Sequence, residues 1–150
     1  MNIEKDEKNG TGVRDLELPV NPIAQNTRQY LEEYNEMLVS DYRTLKEDFI
    51  EWLLVEGKTP KRREGYSEAT TKTTHYKVDE SYLWLWNETD GYTTELTPEH
   101  ATELIDTLVR YSDDSDSYIY TIEKSLRRLF KFLRREKNRP LDDWKHQWWV

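Results

Sequence analysis

Residues 118–139 read YIYTIEKSLRRLFKFLRREKNR, and the fold class turns on how this stretch is read. Ile119, Ile122, Leu126, Leu129, Phe130 and Leu133 recur every three or four residues, the period of an α-helix with one buried face. The spacing predicts a helix over about 118–137, and Pro140, which cannot continue it, marks the end. On the other side Lys124, Arg128, Lys131 and Arg135 stand at i, i+4, i+7 and i+11, flanked by Arg127 and Arg134. One face is made to pack, and the opposite face carries cations in a line.

Upstream, the run SDDSDS (112–117) reads as a solvated acidic loop. Thr97-Pro98 begins another helix, whose Ala101, Leu104, Ile105, Leu108 and Val109 give a clean amphipathic pattern. Asp90-Gly91 is a turn. Ser67 caps a helix running to about Glu88, with Thr71, His75, Val78, Tyr82 and Leu85 in one stripe. Leu83, Trp84 and Trp86 extend the apolar surface around its second half, which predicts that this half is central and buried. Further upstream, Asn21-Pro22 has the form of a helix start, followed by Ile23, Tyr30, Leu31, Tyr34 and Leu38. Ser40 can cap a second segment, where Leu45, Phe49, Trp52 and Leu53 repeat until Gly57. These two segments are either two helices or one bent helix. Only Tyr92–Leu96 has the look of an extended segment. The fold expected is all-α, a small bundle of four to five helices over residues 22–139. Residues 1–21 read as a mobile tail and 140–150 as a linker.

At 150 residues the chain is one domain with a single modest core. Only 35% of it is hydrophobic, but six Trp and ten Tyr supply core area that aliphatic residues do not, which argues against disorder. No cysteine is present, so disulfides and thiolate metal sites are excluded. No apolar run approaches a membrane span and MNIEKDEKNG is not a signal peptide, so the expected location is cytoplasmic, with no membrane partner.

Charge is segregated. Residues 58–77 carry Lys58, Lys61, Arg62, Arg63, Lys72 and Lys77 against Glu64 and Glu68, a net +4. Residues 118–139 carry eight basic residues against Glu123 and Glu136, a net +6. The whole chain is at −8, which leaves −18 for the remainder. Basic stretches kept inside an acidic chain suit a polyanion, although a solvated helix face has the same composition. A cationic line opposite an apolar stripe fits a helix lying along a DNA groove, with phosphates supplying affinity and a few side chains reaching base edges. On the helix after Ser67, Lys72, Thr73 and Tyr76 face away from the apolar stripe, and Lys77 follows them.

Catalytic and metal constellations are weak. His75, His100 and His146 share no ligand spacing, and no thiol completes a zinc set. His75, on the stripe side, reads as a packed, hydrogen-bonded histidine. The Asp113, Asp114 and Asp116 run lacks the glycine and distal glutamate of a calcium loop. Neither a phosphate-cradling glycine loop nor a nucleophile elbow is present. No metal or cofactor is expected. Trp148-Trp149 reads as packing on the bundle, as docking a missing domain, or as a truncation point.

From Gly57 to Arg139 the chain resembles the N-terminal core-binding, SAM-like domain of tyrosine recombinases, of the haloarchaeal phage-integrase type. The carrying pieces are VEGKTPKRREGYSEATT, VDESYLWLWNE, YTTELTPEHATELIDTL and YTIEKSLRRLFKFLRREKNRP, in that order and spacing. The resemblance implies half of a clamp around double-stranded DNA, with the helices after Ser67 and Ser117 meeting the major groove. It aligns Lys72, Tyr120, Thr121 and Lys124 with DNA-contact positions. It departs from the family at Thr74, where a tyrosine is usual, while Tyr76 stands two residues further on. The family's chemistry resides in a separate catalytic domain with an Arg, a Lys, a His-x-x-Arg and a nucleophilic Tyr. The residues three after the histidines are Val78, Glu103 and Trp149, so no His-x-x-Arg exists here.

The expectation is therefore a non-catalytic DNA-binding module of a site-specific recombinase, serving DNA recombination and integration. Its partners would be double-stranded DNA, the absent C-terminal catalytic domain and other recombinase protomers. The expected contact residues are Lys61, Arg62, Arg63, Lys72, Thr73, Tyr76, Lys77, Tyr120, Thr121, Lys124, Arg127, Arg128, Lys131 and Arg135. The alternative is an acidic helical protein-interaction or regulatory domain unconnected with any recombinase.

Overall fold

The computed structural model describes residues 18–141 and Trp144. Five α-helices run in the order α1 (Gln25–Tyr34), α2 (Met37–Val55), α3 (Glu68–Thr89), α4 (Pro98–Tyr111) and α5 (Asp116–Glu136), with one 3₁₀ turn at Pro60–Arg62 before α3. Among the described residues there is no strand, only an isolated bridge between Thr59 and Glu64. The all-α bundle stands as the sequence predicts it.

Local chemistry explains most of the helix ends. The Ser67 hydroxyl accepts from the Thr70 N–H at 3.1 Å, the cap expected of it. Thr97 and His100 form a reciprocal capping box: His100 N–H donates to Thr97 Oγ1, and Thr97 N–H to His100 Nδ1. At the turn after α3 the left-handed residue is Asp90 (φ 55°). The Tyr92–Leu96 stretch is not a strand; Trp86 Nε1 and the Tyr82 hydroxyl hold it by donating to the carbonyls of Thr93 and Thr94.

Three helix starts differ from expectation. Asn21 closes a turn, its side chain accepting from the Ile23 N–H, and α1 begins only at Gln25. α1 and α2 are two helices broken at Asn35–Glu36, with Asn35 Oδ1 accepting from the Met37 N–H, so Ser40 lies inside α2. Ser115 caps α5 by accepting from the Tyr118 N–H, which places Ser117 within the first turn. At α2 and α5 a nearby Asn or Ser satisfies an exposed N–H two or more residues from the one the pattern favoured, whereas α1 has no such cap and its Ala24 N–H is met by Asp79 of α3.

The core is aromatic. Tyr42 lies edge-on to Tyr82 and Trp86, with ring centroids 5.3 and 5.1 Å apart, and all three are fully buried. Phe49 and Trp52 of α2 meet Phe132 of α5. Leu83 and Trp84 are only half-buried, so the second half of α3 is less enclosed than its composition suggests. Trp144, in the stretch read as a linker, is buried edge-on against Phe130, and its indole N–H donates to Thr102 of α4. Trp148 and Trp149 lie outside the described residues.

Candidate nucleic-acid interface

α3 and α5 form the most extensive helix pairing in the bundle and run antiparallel: Tyr118, early in α5, meets Lys77 and Glu80, while Arg128 reaches back to Thr74. The basic loop is brought to the same seam. A methyl group on Gly65 would sit 1.7 Å from the Leu54 carbonyl oxygen, so only glycine lets the loop press onto the end of α2. Tyr66 then donates its N–H to the Leu53 carbonyl, and its ring lies under the Arg128 guanidinium at 4.4 Å. Two stretches far apart in sequence thus meet at one edge.

Within this edge the cations differ in what they are already doing. Arg128 is half-buried and donates to Thr74 Oγ1 at 2.7 Å, which makes it a pin between α5, α3 and the loop. Lys77 stands 3.3 Å from Glu80 and 4.2 Å from the centre of the Tyr118 ring. The Tyr118 hydroxyl donates to the same carboxylate, and burial together with Glu80 holds its pKa well above the ordinary value. Arg127 faces the other flank. It pairs with the buried Glu123 at 2.9 Å, donates to the Trp144 carbonyl, and lies over the Trp144 ring. Lys77 and Arg127 therefore come with their own carboxylates.

Lys124, Lys131 and Arg135 share the remaining face of α5, with Lys124 over the ring of Tyr120 at 4.8 Å. None of the three forms an ion pair among the described residues. The same holds for Lys61 and Arg62 on the 3₁₀ turn and for Lys72 on α3, all exposed. Arg63 adopts a left-handed backbone (φ 56°) and leans 3.8 Å from Glu56. Thr121 uses its hydroxyl locally, donating to the Ser117 carbonyl.

The α3 residues do not all join this face. Thr73 shares the line of Lys77, on the α5 side. Tyr76 turns toward α1: its ring lies tilted against that of His75, centroids 4.4 Å apart, and it lines a cleft with Ala24, Thr27, Asp79 and Leu83. Lys72 lies one turn before Tyr76 on the same side. The structure thus separates Lys72 and Tyr76 from the α5 stripe, which the helix spacing of α3 alone did not reveal.

The charged group that sequence reasoning missed lies deeper. Lys46 and Asp79, both fully buried, meet at 2.6 Å. Lys46 also donates to the carbonyls of Pro22 and His75 and lies 3.1 Å from His75 Nδ1. An ammonium only donates, so Nδ1 accepts and the imidazole proton sits on Nε2, which has no hydrogen-bond partner. Burial first, then the charges of Lys46 and Lys72, push the His75 pKa down to about 3. The histidine is packed and hydrogen-bonded, as its place on the stripe suggests. Burial lowers Lys46 against the opposing pull of Asp79, and burial with Asp79 raises the Tyr42 hydroxyl far above its ordinary range. One signal was readable: Lys46 stands four residues after Tyr42 and four before Ile50, on the buried face of α2.

Among the described residues no group of three or more His, Asp or Glu side chains could hold a metal ion, and no helix is long and apolar enough to cross a membrane. No protein-family model matches the sequence, and no curated protein or solved structure matches it.

Proposed function

We propose that this chain is a DNA-binding module of the tyrosine-recombinase core-binding type, gripping duplex DNA with α5, the 58–66 loop and the Lys77 side of α3. It would contribute position and grip, while cleavage and joining would belong to a catalytic domain on the same or another chain and to further protomers on the DNA. The observation that carries this reading is the face of α5, where Lys124, Lys131 and Arg135 have no carboxylate partner among the described residues and stand beside a loop pinned to the same seam. Phosphate contact needs cations whose charge is not already neutralised. That criterion favours these three with Lys61 and Arg62, and makes Lys77 and Arg127 secondary.

The test is duplex binding as a function of salt. About four phosphate contacts give a log–log slope of roughly −3.6. A slope near zero, or binding unchanged when Lys131 and Arg135 are both replaced by alanine, would remove the basis for the reading. An acidic chain that still binds DNA in a salt-dependent way must do so through a local surface, which is what the α5 face supplies.

A further inference from the structure

At the seam between α3 and α5 one carboxylate holds two donors. Glu80 of α3 accepts from the Tyr118 hydroxyl of α5 at 2.5 Å with one oxygen, and takes the Lys77 ammonium at 3.3 Å with the other. Lys77 also lies over the Tyr118 ring, 4.2 Å from its centre. The cation is thus met by an anion and by an aromatic face together.

This pair differs from the one between Arg127 and Glu123. The Glu123 side chain is fully buried, whereas that of Glu80 is 47% exposed at the same edge as the basic loop and Arg128. An exposed pair three residues apart on one helix adds little to folding. On a surface that meets a polyanion the carboxylate has a cost instead, because it neutralises a cation and repels phosphate.

We propose that Glu80 is an autoinhibitory contact, which occupies Lys77 in the free protein and so limits the grip on duplex DNA. The inference rests on the DNA-binding reading of this face and adds its regulation. Among the described residues Glu80 is the carboxylate that pairs with Lys77, so a single substitution releases the cation. Glutamine at position 80 has nearly the same shape and still accepts from the Tyr118 hydroxyl, which removes the charge and keeps the link between α3 and α5. Lys77 is then left to pair with a phosphate. Such a contact carries no base information, so the gain belongs to every duplex alike.

The test measures binding of the full chain to two duplexes of unrelated sequence across a salt series. The proteins are the parent, Glu80→Gln, Lys77→Ala, the double variant, and Glu103→Gln, an exposed α4 carboxylate outside the proposed interface that controls for net charge. Glu80→Gln should bind both duplexes at least about threefold tighter than Glu103→Gln, with a salt slope steeper by about 0.9. Adding Lys77→Ala to Glu80→Gln should abolish that gain. In the parent, Lys77→Ala should change the slope by less than about 0.45, half of one phosphate contact. This last comparison leaves Glu80 in place and stands even if Glu80→Gln does not fold, which urea unfolding of each variant reports. A loss of about 0.9 from Lys77→Ala in the parent would show that Lys77 already meets phosphate, and the proposal would be overturned. A gain in Glu80→Gln no larger than in Glu103→Gln, or one that survives Lys77→Ala, would overturn it as well. So would a gain on one duplex only, which would make Glu80 a base-reading residue. In all of these cases the parent still binds DNA and the DNA-binding reading stands. Absence of duplex binding by every protein in the series would remove that reading and the proposal with it.

Discussion

Asp79 caps a helix that it does not belong to: its Oδ2 accepts the Ala24 N–H at the start of α1 at 2.7 Å, from a position midway along α3. The other oxygen takes Lys46 at 2.6 Å and the Tyr42 hydroxyl at 2.5 Å. α1 has no side-chain cap of its own. A carboxylate placed there satisfies an orphan N–H and complements the positive helix end. One buried anion therefore ties α1, α2 and α3 together, and the Lys46 bond to the Pro22 carbonyl fastens the approach to α1 as well.

Replacing Asp79 with Asn should be among the most damaging single changes in the chain. It leaves the Lys46 ammonium buried without a counter-charge, which costs about 3–5 kcal/mol. Tyr42→Phe, which removes only a hydrogen bond to the same carboxylate, should cost about 1.5–3 kcal/mol. Urea unfolding of both variants checks the order. If Asp79→Asn is as stable as the parent, the buried pair is not what holds α1.

His75 predicts an acid-sensitive fold. The folded imidazole stays neutral until about pH 3, whereas the unfolded one protonates near its ordinary value of 6.5. Below pH 6.5 the unfolded state therefore takes up a proton that the folded state refuses, and stability falls as pH drops toward 3. Between pH 6.5 and 5 the loss should be about 2 kcal/mol, ahead of most carboxylate titration. In His75→Gln the stability over that window should be nearly flat. An equal slope in both proteins would mean that the acid sensitivity arises elsewhere.

The helical core was readable because its periods are strong: the Ile119–Leu133 stripe lies on a buried face, and so do Ala101, Leu104 and Ile105, although of the rest of that stripe Leu108 is half-buried and Val109 exposed. What sequence could not show is which polar residue ends up inside. Lys46 and Asp79 are 33 positions apart, and neither has a partner until α2 and α3 are packed. The candidate site was legible in a coarser sense. Spacing alone aligns Lys124, Arg128, Lys131 and Arg135, but it cannot say that Arg128 is committed to Thr74 and Tyr66 while Lys131 and Arg135 are not. Those distinctions belong to contacts between elements, which periodicity does not encode. Trp144 was passed over for a similar reason, since a lone tryptophan after a proline carries no period.

Gly65→Ala should separate loop position from charge. The added methyl cannot fit against the Leu54 carbonyl, so the loop must lift away from α2 at a cost of about 1–3 kcal/mol. Lys61, Arg62 and Arg63 would keep their charges and lose their placement. On the DNA-binding reading, affinity for duplex should fall although the net charge is unchanged. Unfolding and binding measured on the same preparation check this, and unchanged binding would exclude the loop from the interface.

The α5 face offers the sharpest comparison. Arg128→Ala removes the bond to Thr74 and the contact with the Tyr66 ring, so it should destabilise the fold by about 1–2 kcal/mol whatever its effect on DNA. Lys131→Ala and Arg135→Ala touch no such seam and should change stability by less than about 0.5 kcal/mol. Each should weaken duplex binding regardless of base sequence and reduce the magnitude of the salt slope by about 0.9, as loss of one phosphate contact does. Lys124→Ala, near the start of the helix and beside the exposed Tyr120, should cost about 1–3 kcal/mol on a preferred site and less on random duplex if it reaches a base edge. Salt titrations of the four variants on one specific and one random duplex separate these roles. If Lys131→Ala and Arg135→Ala stay folded and leave the slope unchanged, the cationic face of α5 does not meet phosphate, and the line of charge is a solvated surface.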